Sequence, residues 1–185
     1  NSILASGVDV LQYEWLPIQN IAQIQTINQH LLKMLFDLYE NALLHGYPIR
    51  EKKFNVWHFG ANNETADELL KLVWTGQKTG TASLFDIYKA EGEAPPAEGD
   101  YSVVVNWKGM PSVILKVTSI TILPFKDVPA SHAKAEGEKD GSLQEWRNIH
   151  KRYFQQEAEA WNLTFSEKSK VVCERFTVEQ KFQKP

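Results

Sequence analysis

The sequence predicts an α+β fold in which helices surround a curled, largely antiparallel β-sheet. Two observations lead to this class. Amphipathic helical segments are interleaved with at least four strand-like segments, and the regular strand–helix–strand alternation of a parallel sheet is absent. The chain has 185 residues, of which 43% are hydrophobic and 23% are charged. This length fits one domain with a real core, or one domain plus an extension.

The N-terminal part of the chain predicts a long amphipathic helix. From Pro17 to Ala42 apolar residues recur mostly every three or four positions, and Gly46 lies just past the end of this pattern. We assign residues 1–50 to this helical extension and residues 51–185 to the main domain. The apolar face must be covered, and it could pack on the domain or pair with a copy of itself in a homodimer.

The next predicted elements are a helix, a strand and a loop. Asn62 and Asn63 are N-cap candidates, and Gly76 lies where a C-terminal cap belongs. Between them, four apolar residues share one helix face: Ala66, Leu69, Leu70 and Val73. Residues 79–84 are β-branched or small, which predicts a strand, whereas the polar segment 89–100 contains proline and glycine and predicts a loop.

The second half of the chain predicts five further elements. β-branched residues indicate strands over 101–107 and 111–123. A short helix is predicted over 128–136, and the capping-box sequence Ser142-Leu143-Gln144-Glu145 opens a longer helix. A final strand is predicted over 171–182.

The charge balance limits the partners that the chain can have. Its formal net charge is −3 and its sequence pI is about 6.0. Proteins that hold long nucleic acids non-specifically usually carry a positive excess, because they neutralise phosphates. We therefore expect a ligand that is met locally, either a modified nucleoside or single-stranded RNA.

The cysteine content and the absence of long apolar runs indicate the compartment. Cys173 is the lone cysteine, which excludes an internal disulfide and leaves no cysteine pair for a thiolate zinc site. The sequence shows no apolar run near 18 residues and no basic segment followed by an apolar stretch. These features predict a cytoplasmic protein without a membrane partner.

The sharpest local motif is Gly76-Gln77-Lys78-Thr79-Gly80-Thr81. A phosphate-binding P-loop needs Gly, four residues and then Gly-Lys-Ser/Thr at the start of a helix. Here the order differs, and the segment leaves a predicted helix and enters a predicted strand, so a P-loop is excluded. The segment instead resembles the Gly-x-Lys-x-x-Thr signature of ASCH domains.

The resemblance to ASCH domains extends over residues 56–182 and includes features of the bacterial branch of the family. Its further motifs are Trp57-His58-Phe59-Gly60, Pro96-Ala97-Glu98-Gly99-Asp100, Glu136-Gly137-Glu138 and the strand that begins at Val171. The resemblance implies a PUA-like (ASCH) fold, which is a curled antiparallel β-barrel flanked by helices, with a cleft beside the signature. The N-terminal helix is an addition to that domain.

The resemblance also implies an activity. Small ASCH members similar to this chain act as amidohydrolases on acylated cytidine, and a Lys, a Thr and a Glu are held responsible. Motif by motif, these catalytic residues fall on Lys78, Thr81 and Glu136. A related member is described as a ribonuclease, so a second function stays open: an RNA-binding module, with or without ribonuclease activity, that uses the same cleft. A third is a regulatory role through the N-terminal helix.

Physical chemistry sets conditions on this trio. A Thr81 hydroxyl needs a base to take its proton, and Lys78 can serve only if burial keeps it neutral against the field of the preceding helix C-terminus. Gly80 is expected to permit a bulge or kink that turns both side chains inward. Glu136 closes a predicted helix, where the same field raises the pKa of a carboxyl, so it is expected to act as a general acid.

Ligand contacts are expected from residues around the signature. Trp57 and Phe59 could stack on a base, although aromatic residues of a small domain more often pack in its core. Gly76, Thr79 and Ser83 complete the expected ligand-binding set, and the two hydroxyls are predicted to share the strand face of Thr81, although satisfying strand ends would also explain them. We expect no cofactor and no metal. His132 and Glu136 offer two ligands on one helix face, where a catalytic zinc needs three.

Overall fold

The computed structural model describes residues 55–60 and 62–182. In chain order these residues form β1 (Asn55–Trp57), α1 (Asn63–Thr75), β2 (Gly80–Leu84), α2 (Phe85–Glu91), β3 (Tyr101–Val105), β4 (Pro111–Pro124), a 3-10 helix (Phe125–Asp127), α3 (Ala130–Glu136), α4 (Leu143–Ala160) and β5 (Lys170–Lys181). The predicted N-terminal helix lies outside the described residues, and so does the homodimer contact expected from it.

The five strands form one sheet in the order β1-β3-β4-β5-β2. β1 runs parallel to β3, and the other three pairs are antiparallel. β4 carries two register shifts against β5, one between Ile114 and Leu115 and one between Val117 and Ser119. Such irregularities bend a strand and increase its twist. The sheet curls into a half-barrel flanked by helices, which confirms the predicted fold class.

The strongest capping signals are confirmed. The Asn62 side chain accepts a hydrogen bond from the Thr65 amide, and Gly76 ends α1 in the left-handed conformation with a φ of 80°. At α4, the Ser142 hydroxyl accepts from the Glu145 amide at 3.2 Å. The reciprocal bond of a capping box is replaced there, because the Ser142 amide donates to Asp140 Oδ1 at 2.8 Å.

Two predicted boundaries are wrong. Helix α2 occupies residues 85–91, so the loop predicted over 89–100 begins later. This helix follows β2 directly, and its N-cap residue Leu84 makes no side-chain capping bond, so it carries no start signal. The strand predicted over 101–107 ends at Val105, because Asn106 and Met110 close a turn in which the Asn106 amide donates to the Met110 carbonyl at 2.8 Å.

The core lies on both faces of the sheet, since successive β5 side chains alternate between them. On one face, α1 packs in a cluster of Phe59, Leu70, Val73, Val104, Val113, Leu115 and Phe176. On the other face, α3 and α4 pack in a cluster that includes Leu84, Phe125, Ala133, Trp146, Phe154, Val171 and Cys173. Cys173 is buried and free, as the sequence predicts for a lone cysteine in an apolar strand. None of the described helices has the length and apolar character needed to cross a membrane.

Gly80 acts through close packing rather than through a bulge. The register between β2 and β5 is continuous from Gly80 paired with Arg175 to Leu84 paired with Val171, so the predicted bulge at Gly80 is wrong. A Cβ atom at Gly80 would lie 2.9 Å from the Glu174 carbonyl oxygen and 3.4 Å from the Ala135 Cβ. The glycine therefore lets β5 and the end of α3 approach β2 closely.

Gly137 fixes the end of α3 against the segment that precedes β2. It ends α3 with a φ of +63°, and a Cβ atom there would overlap the carbonyl oxygen of Gln77. The Gln77 side-chain amide donates to the Gly137 carbonyl at 2.7 Å, which holds the two segments together. A glycine is required at this position for both its conformation and its contact.

We expect Gly137→Ala to lower the free energy of unfolding by about 3 kcal/mol or more, because left-handed strain and backbone overlap add. Gly109→Ala is the matched control, since Gly109 has a φ of +77° but a Cβ atom there would meet nothing within 4 Å. That control should cost only about 1–2 kcal/mol. Chemical denaturation of both variants measures the difference, and equal losses would contradict the close-contact role of Gly137.

Candidate functional site

The backbone around Lys78 is held from three sides. The amides of Gln77 and Lys78 both donate to the Leu72 carbonyl, at 2.9 and 3.0 Å, which closes the end of α1. The Thr79 amide then donates to the Ala135 carbonyl of α3 at 2.7 Å, and the Thr79 carbonyl accepts from β5. Lys78 is thereby positioned where α1, α3 and β5 meet.

The Lys78 ammonium is buried between two carboxylates. Its Nζ donates to Glu136 Oε2 and to Glu138 Oε1, both at 2.7 Å. The side chains of Lys78 and Glu136 are each 1% exposed, and that of Glu138 is 17% exposed. Gly137 turns the chain between the two acids, so that both reach the same nitrogen. Phe59 lies beneath, with its ring centroid 5.5 Å from Nζ.

The second oxygen of Glu136 is held by α3 and α4. Trp146 Nε1 donates to Glu136 Oε1 at 2.7 Å. His132 Nε2 and His150 Nε2 approach the same oxygen, at 3.2 and 3.4 Å. The His150 ring stacks on Trp146 with centroids 4.2 Å apart, which fixes both rings. Glu136 therefore joins the segment before β2 to both helices.

The mutual contact of Lys78 and Glu136 sets their protonation states. Burial lowers the pKa of Lys78, but Glu136 and Glu138 together outweigh burial and raise this pKa above 10.5. Burial raises the pKa of Glu136, but Lys78 and His150 outweigh it and hold this pKa well below 4.5. The resting pair is an ammonium and a carboxylate. The expected neutral Lys base and protonated Glu acid are therefore wrong for the resting site, because each group is the other's counter-ion.

Two of the three protons of the Lys78 ammonium are bonded to carboxylates of the described residues. An ammonium has three N–H donors, and Glu136 and Glu138 accept two of them. Over residues 55–60 and 62–182, no acceptor takes the third. A buried donor without a partner is costly.

The three hydroxyls expected near the ligand are not equivalent. Thr81 and Ser83 lie on the same face of β2, because their register partners on β5 are Glu174 and Val172. Thr81 is half-buried, and within the described part of the chain its hydroxyl makes no hydrogen bond. Ser83 Oγ shares a hydrogen bond with Tyr88 OH at 2.9 Å. Thr79 does not lie on the face that Thr81 and Ser83 share.

Thr79 precedes β2 and is directed towards α3. Its hydroxyl donates to the Ala135 carbonyl at 3.3 Å and accepts from Arg175 Nη2 at 3.5 Å. Both partners belong to the side of the sheet on which α3 packs. The prediction that Thr79 shares the face of Thr81 is therefore wrong, because the strand alternation does not begin until Gly80.

The other residues that were expected to contact the ligand differ in how deeply they are buried. Phe59 is 4% exposed and packs in the core beneath Lys78, which leaves little of its ring for stacking. Trp57 is partly buried and meets Phe59 edge to face, with centroids 4.5 Å apart. Gly76 is exposed at the end of α1, where a Cβ atom would meet nothing within 4 Å.

Several members of this site escape sequence reasoning. The acid run after α3 makes Glu138 look solvent-exposed, although it is a direct partner of Lys78. Trp146 and His150 are spaced by four residues on one face of α4, which is the one signal that both approach the same group. No group of three His, Cys, Asp or Glu side chains in the described ranges is arranged to hold a metal ion.

Two further acids, Glu157 and Glu174, are buried and form no ion pair with another described residue. Burial raises the pKa of Glu157 to about 7, and burial with the nearby Asp100 does the same for Glu174. Glu157 Oε1 accepts from Tyr153 OH at 3.3 Å, and its Oε2 is buried without a hydrogen bond. These acids therefore bind a proton more tightly in the folded chain than in the unfolded one.

The chain matches known proteins over most of its length. A family model for the ASCH domain matches residues 55–180. A crystal structure of a protein from Enterococcus faecalis V583 is similar, with 33% identity, a TM-score of 0.71 and coverage of 80% of this chain and 88% of that one. An ASCH domain from Lactobacillus crispatus JV V101 is 29% identical, with a TM-score of 0.69 and coverage of 83% and 96%. No curated protein matches.

We expect Lys78→Met to lower the free energy of unfolding by about 3–5 kcal/mol at neutral pH, because it leaves buried carboxylates without a counter-ion. The exposed pair Lys151–Glu167, at 2.8 Å, supplies the control, and Lys151→Met should change stability by no more than about 0.5 kcal/mol. Urea denaturation measures both. The double variant Lys78→Met/Glu136→Gln should recover part of the loss, and a single variant as stable as the wild type would contradict the buried pair.

We expect Glu157→Gln to stabilise the protein only at higher pH. Because folding raises the pKa of Glu157 from 4.5 to about 7, its contribution to stability is present below 4.5 and is lost as the pH rises through 7. The variant should gain up to roughly 3 kcal/mol over the wild type near pH 8 and nothing near pH 4. Thermal melts at both pH values test this, with the exposed Glu159→Gln as control. A gain that does not depend on pH would contradict it.

Proposed function

The chain belongs to the ASCH domain family, and we propose that it is a small amidohydrolase that acts on an acylated or otherwise modified cytidine-type nucleoside. The observation that carries this proposal is the buried Lys78 ammonium. It donates two protons to Glu136 and Glu138, has a third that no described residue accepts, and precedes Thr81 by three residues. In the proposed site, the Lys78 ammonium is the oxyanion-stabilising donor and the Thr81 hydroxyl is the nucleophile.

In the proposed reaction, Lys78 donates its third N–H to the acyl carbonyl oxygen of the ligand. The Thr81 oxygen attacks the acyl carbon, and negative charge develops on the carbonyl oxygen beside the ammonium. Such preorganised stabilisation of developing charge is usually the largest single contribution to a rate enhancement of this kind. The bond from the acyl carbon to the exocyclic nitrogen then breaks, and water releases the acyl group from Thr81.

The base for this step is proposed to be Glu138 rather than Lys78. Lys78 is already protonated, and Glu136 is stabilised as an anion by Lys78, Trp146 and His150. Among the residues that the structure describes, the Glu138 carboxylate is bound to Lys78 alone, and it is the more exposed of the two acids. It would take the Thr81 proton and return it to the departing amine, so that protons balance over the acyl transfer.

The second candidate function is recognition of an unpaired RNA base in the same cleft. The PUA-like fold of the family is of an RNA-binding type, which favours this candidate. The net charge of −3 counts against a long RNA, because long-range contacts with phosphates need a basic surface. A base or nucleoside bound locally agrees with both the charge and the small buried site.

We expect the wild type to deacetylate N4-acetylcytidine, followed by the change in ultraviolet absorbance. Thr81→Ala and Glu138→Gln should each lower kcat/KM by about a hundredfold or more, because they remove the nucleophile and the base. Thr177→Ala is the matched control, since its hydroxyl is exposed on β5 and donates to Glu179 at 2.8 Å. Circular dichroism must show that each variant is folded.

Two results would contradict this proposal. Thr81→Ala with wild-type turnover would remove the nucleophile from the mechanism. A wild type that leaves N4-acetylcytidine intact but binds short single-stranded RNA in a salt-sensitive manner would replace hydrolysis with RNA recognition.

A further inference from the structure

Glu174 lies on the same side of the sheet as Thr81. It is paired in register with Thr81 of β2 and with Ile120 of β4. Residues directly opposite each other in an antiparallel pair lie on one face, with Cβ atoms about 5 Å apart. Ser83 shares this face two residues further along β2. The Glu174 carboxyl therefore borders the face that carries the Thr81 hydroxyl.

The Glu174 carboxyl is buried without a partner. The side chain is 7% exposed. Within residues 55–60 and 62–182 no group donates a hydrogen bond to it and no cation pairs with it. The charged group that acts on it is Asp100, whose negative charge repels an ionised Glu174. Burying a carboxyl costs stability unless it is hydrogen-bonded, so a ligand that bonds to Glu174 would offset that cost.

The chemistry of Glu174 is that of a neutral acid. Burial, with the repulsion from Asp100, raises its pKa to about 7. A protonated carboxyl offers one O–H donor beside one carbonyl acceptor. Tyr88 from α2 also lies near this carboxyl, and its hydroxyl is bonded to Ser83. The described surroundings are thus polar, and the charged group in them that acts on Glu174 is the acid Asp100.

We propose that Glu174 is the residue that recognises the base of the ligand, by pairing its carboxyl with an edge on which an exocyclic N–H stands beside a ring nitrogen. An aminopyrimidine such as cytosine presents this edge, where the exocyclic nitrogen donates and the adjacent ring nitrogen accepts. The carbonyl oxygen of Glu174 accepts from the exocyclic N–H, and its O–H donates to the ring nitrogen. This inference rests on the proposed function and names the specificity residue of the same site.

The pairing depends on pH through Glu174 itself. The groups that face this carboxyl are Thr81 from β2, Ile120 from β4, Asp100 from the turn before β3 and Tyr88 from α2. Burial raises the pKa of Tyr88 far above neutrality, so Tyr88 stays neutral. Below pH 7 the Glu174 carboxyl keeps the proton that it donates, and above pH 7 it loses that proton. Base binding should therefore weaken as the pH rises through 7.

The test measures the binding of N4-acetylcytidine and of cytidine to the full chain by isothermal titration calorimetry, near pH 6 and near pH 8. The wild type should bind about tenfold more weakly at the higher pH. Glu174→Gln keeps one donor and one acceptor at every pH, so its affinity should stay within about threefold of the wild type at pH 6 and lose the pH dependence. Glu174→Leu should bind about tenfold to a hundredfold more weakly, because the base edge is left unpaired.

Glu179→Gln is the matched control, since Glu179 is an exposed acid on the same strand and should leave affinity and pH dependence unchanged. If Glu174→Leu does not fold, the pH profile of Glu174→Gln decides alone, and a profile like that of the wild type overturns the inference. Wild-type deacetylation combined with unchanged binding in both Glu174 variants would overturn it and leave the proposed function standing. A wild type that neither binds nor hydrolyses a nucleoside would overturn both.

Discussion

The buried ion pair between Lys78 and Glu136 is the interaction on which the geometry of the site depends. Two charges removed from water are tolerated when their geometry is good and further hydrogen bonds meet their other donors and acceptors. Glu138 takes a second proton of the ammonium, and Trp146 donates to the far oxygen of Glu136. These bonds tie the segment before β2 to α3 and α4, so that a local charge requirement fixes the relative position of three elements. The pair alone is weak support for stability, but the further bonds from Glu138 and Trp146 make it a strong constraint on shape.

Two glycines make this constraint possible. Lys78 lies at the β2 edge of the sheet, where α1 packs on one face and α3 on the other. Gly80 lets β2 approach the Glu174 carbonyl and the end of α3, and Gly137 lets the chain after α3 approach Gln77. The two acids that flank Gly137 then point to one nitrogen. The ion pair therefore depends on this close approach of the backbones. Larger residues at positions 80 and 137 would push the segments apart and separate the charges.

Local signals determine how much of this structure the sequence predicts. Asn62 and Gly76 bound α1 because capping bonds form within one turn, and the β-branched run of β4 reads directly as a strand. Helix α2 is missed because Leu84 offers no cap and the helix has seven residues. The protonation states are missed for a different reason. The effect of a helix end on the pKa of each group can be estimated from sequence. Lys78 and Glu136 are 58 residues apart, so the sequence does not show that they meet, and their contact changes both pKa values much more.

The domain holds buried glutamates in opposite states, and the difference follows from their partners alone. Glu136 is ionised because an ammonium, an indole N–H and a histidine stabilise its charge more than burial opposes it. Glu174 is also buried, but its charged neighbour is another acid, so its neutral form is favoured at and below neutral pH. An ionised network suits charge that develops during a reaction, whereas a neutral carboxyl suits a base edge that must both donate and accept. Thr81 is related to both, since it follows Lys78 in the signature and lies opposite Glu174 on the neighbouring strand, on the same face of the sheet. A nucleoside held by Glu174 would therefore have its exocyclic nitrogen on the side of the sheet that carries the Thr81 hydroxyl.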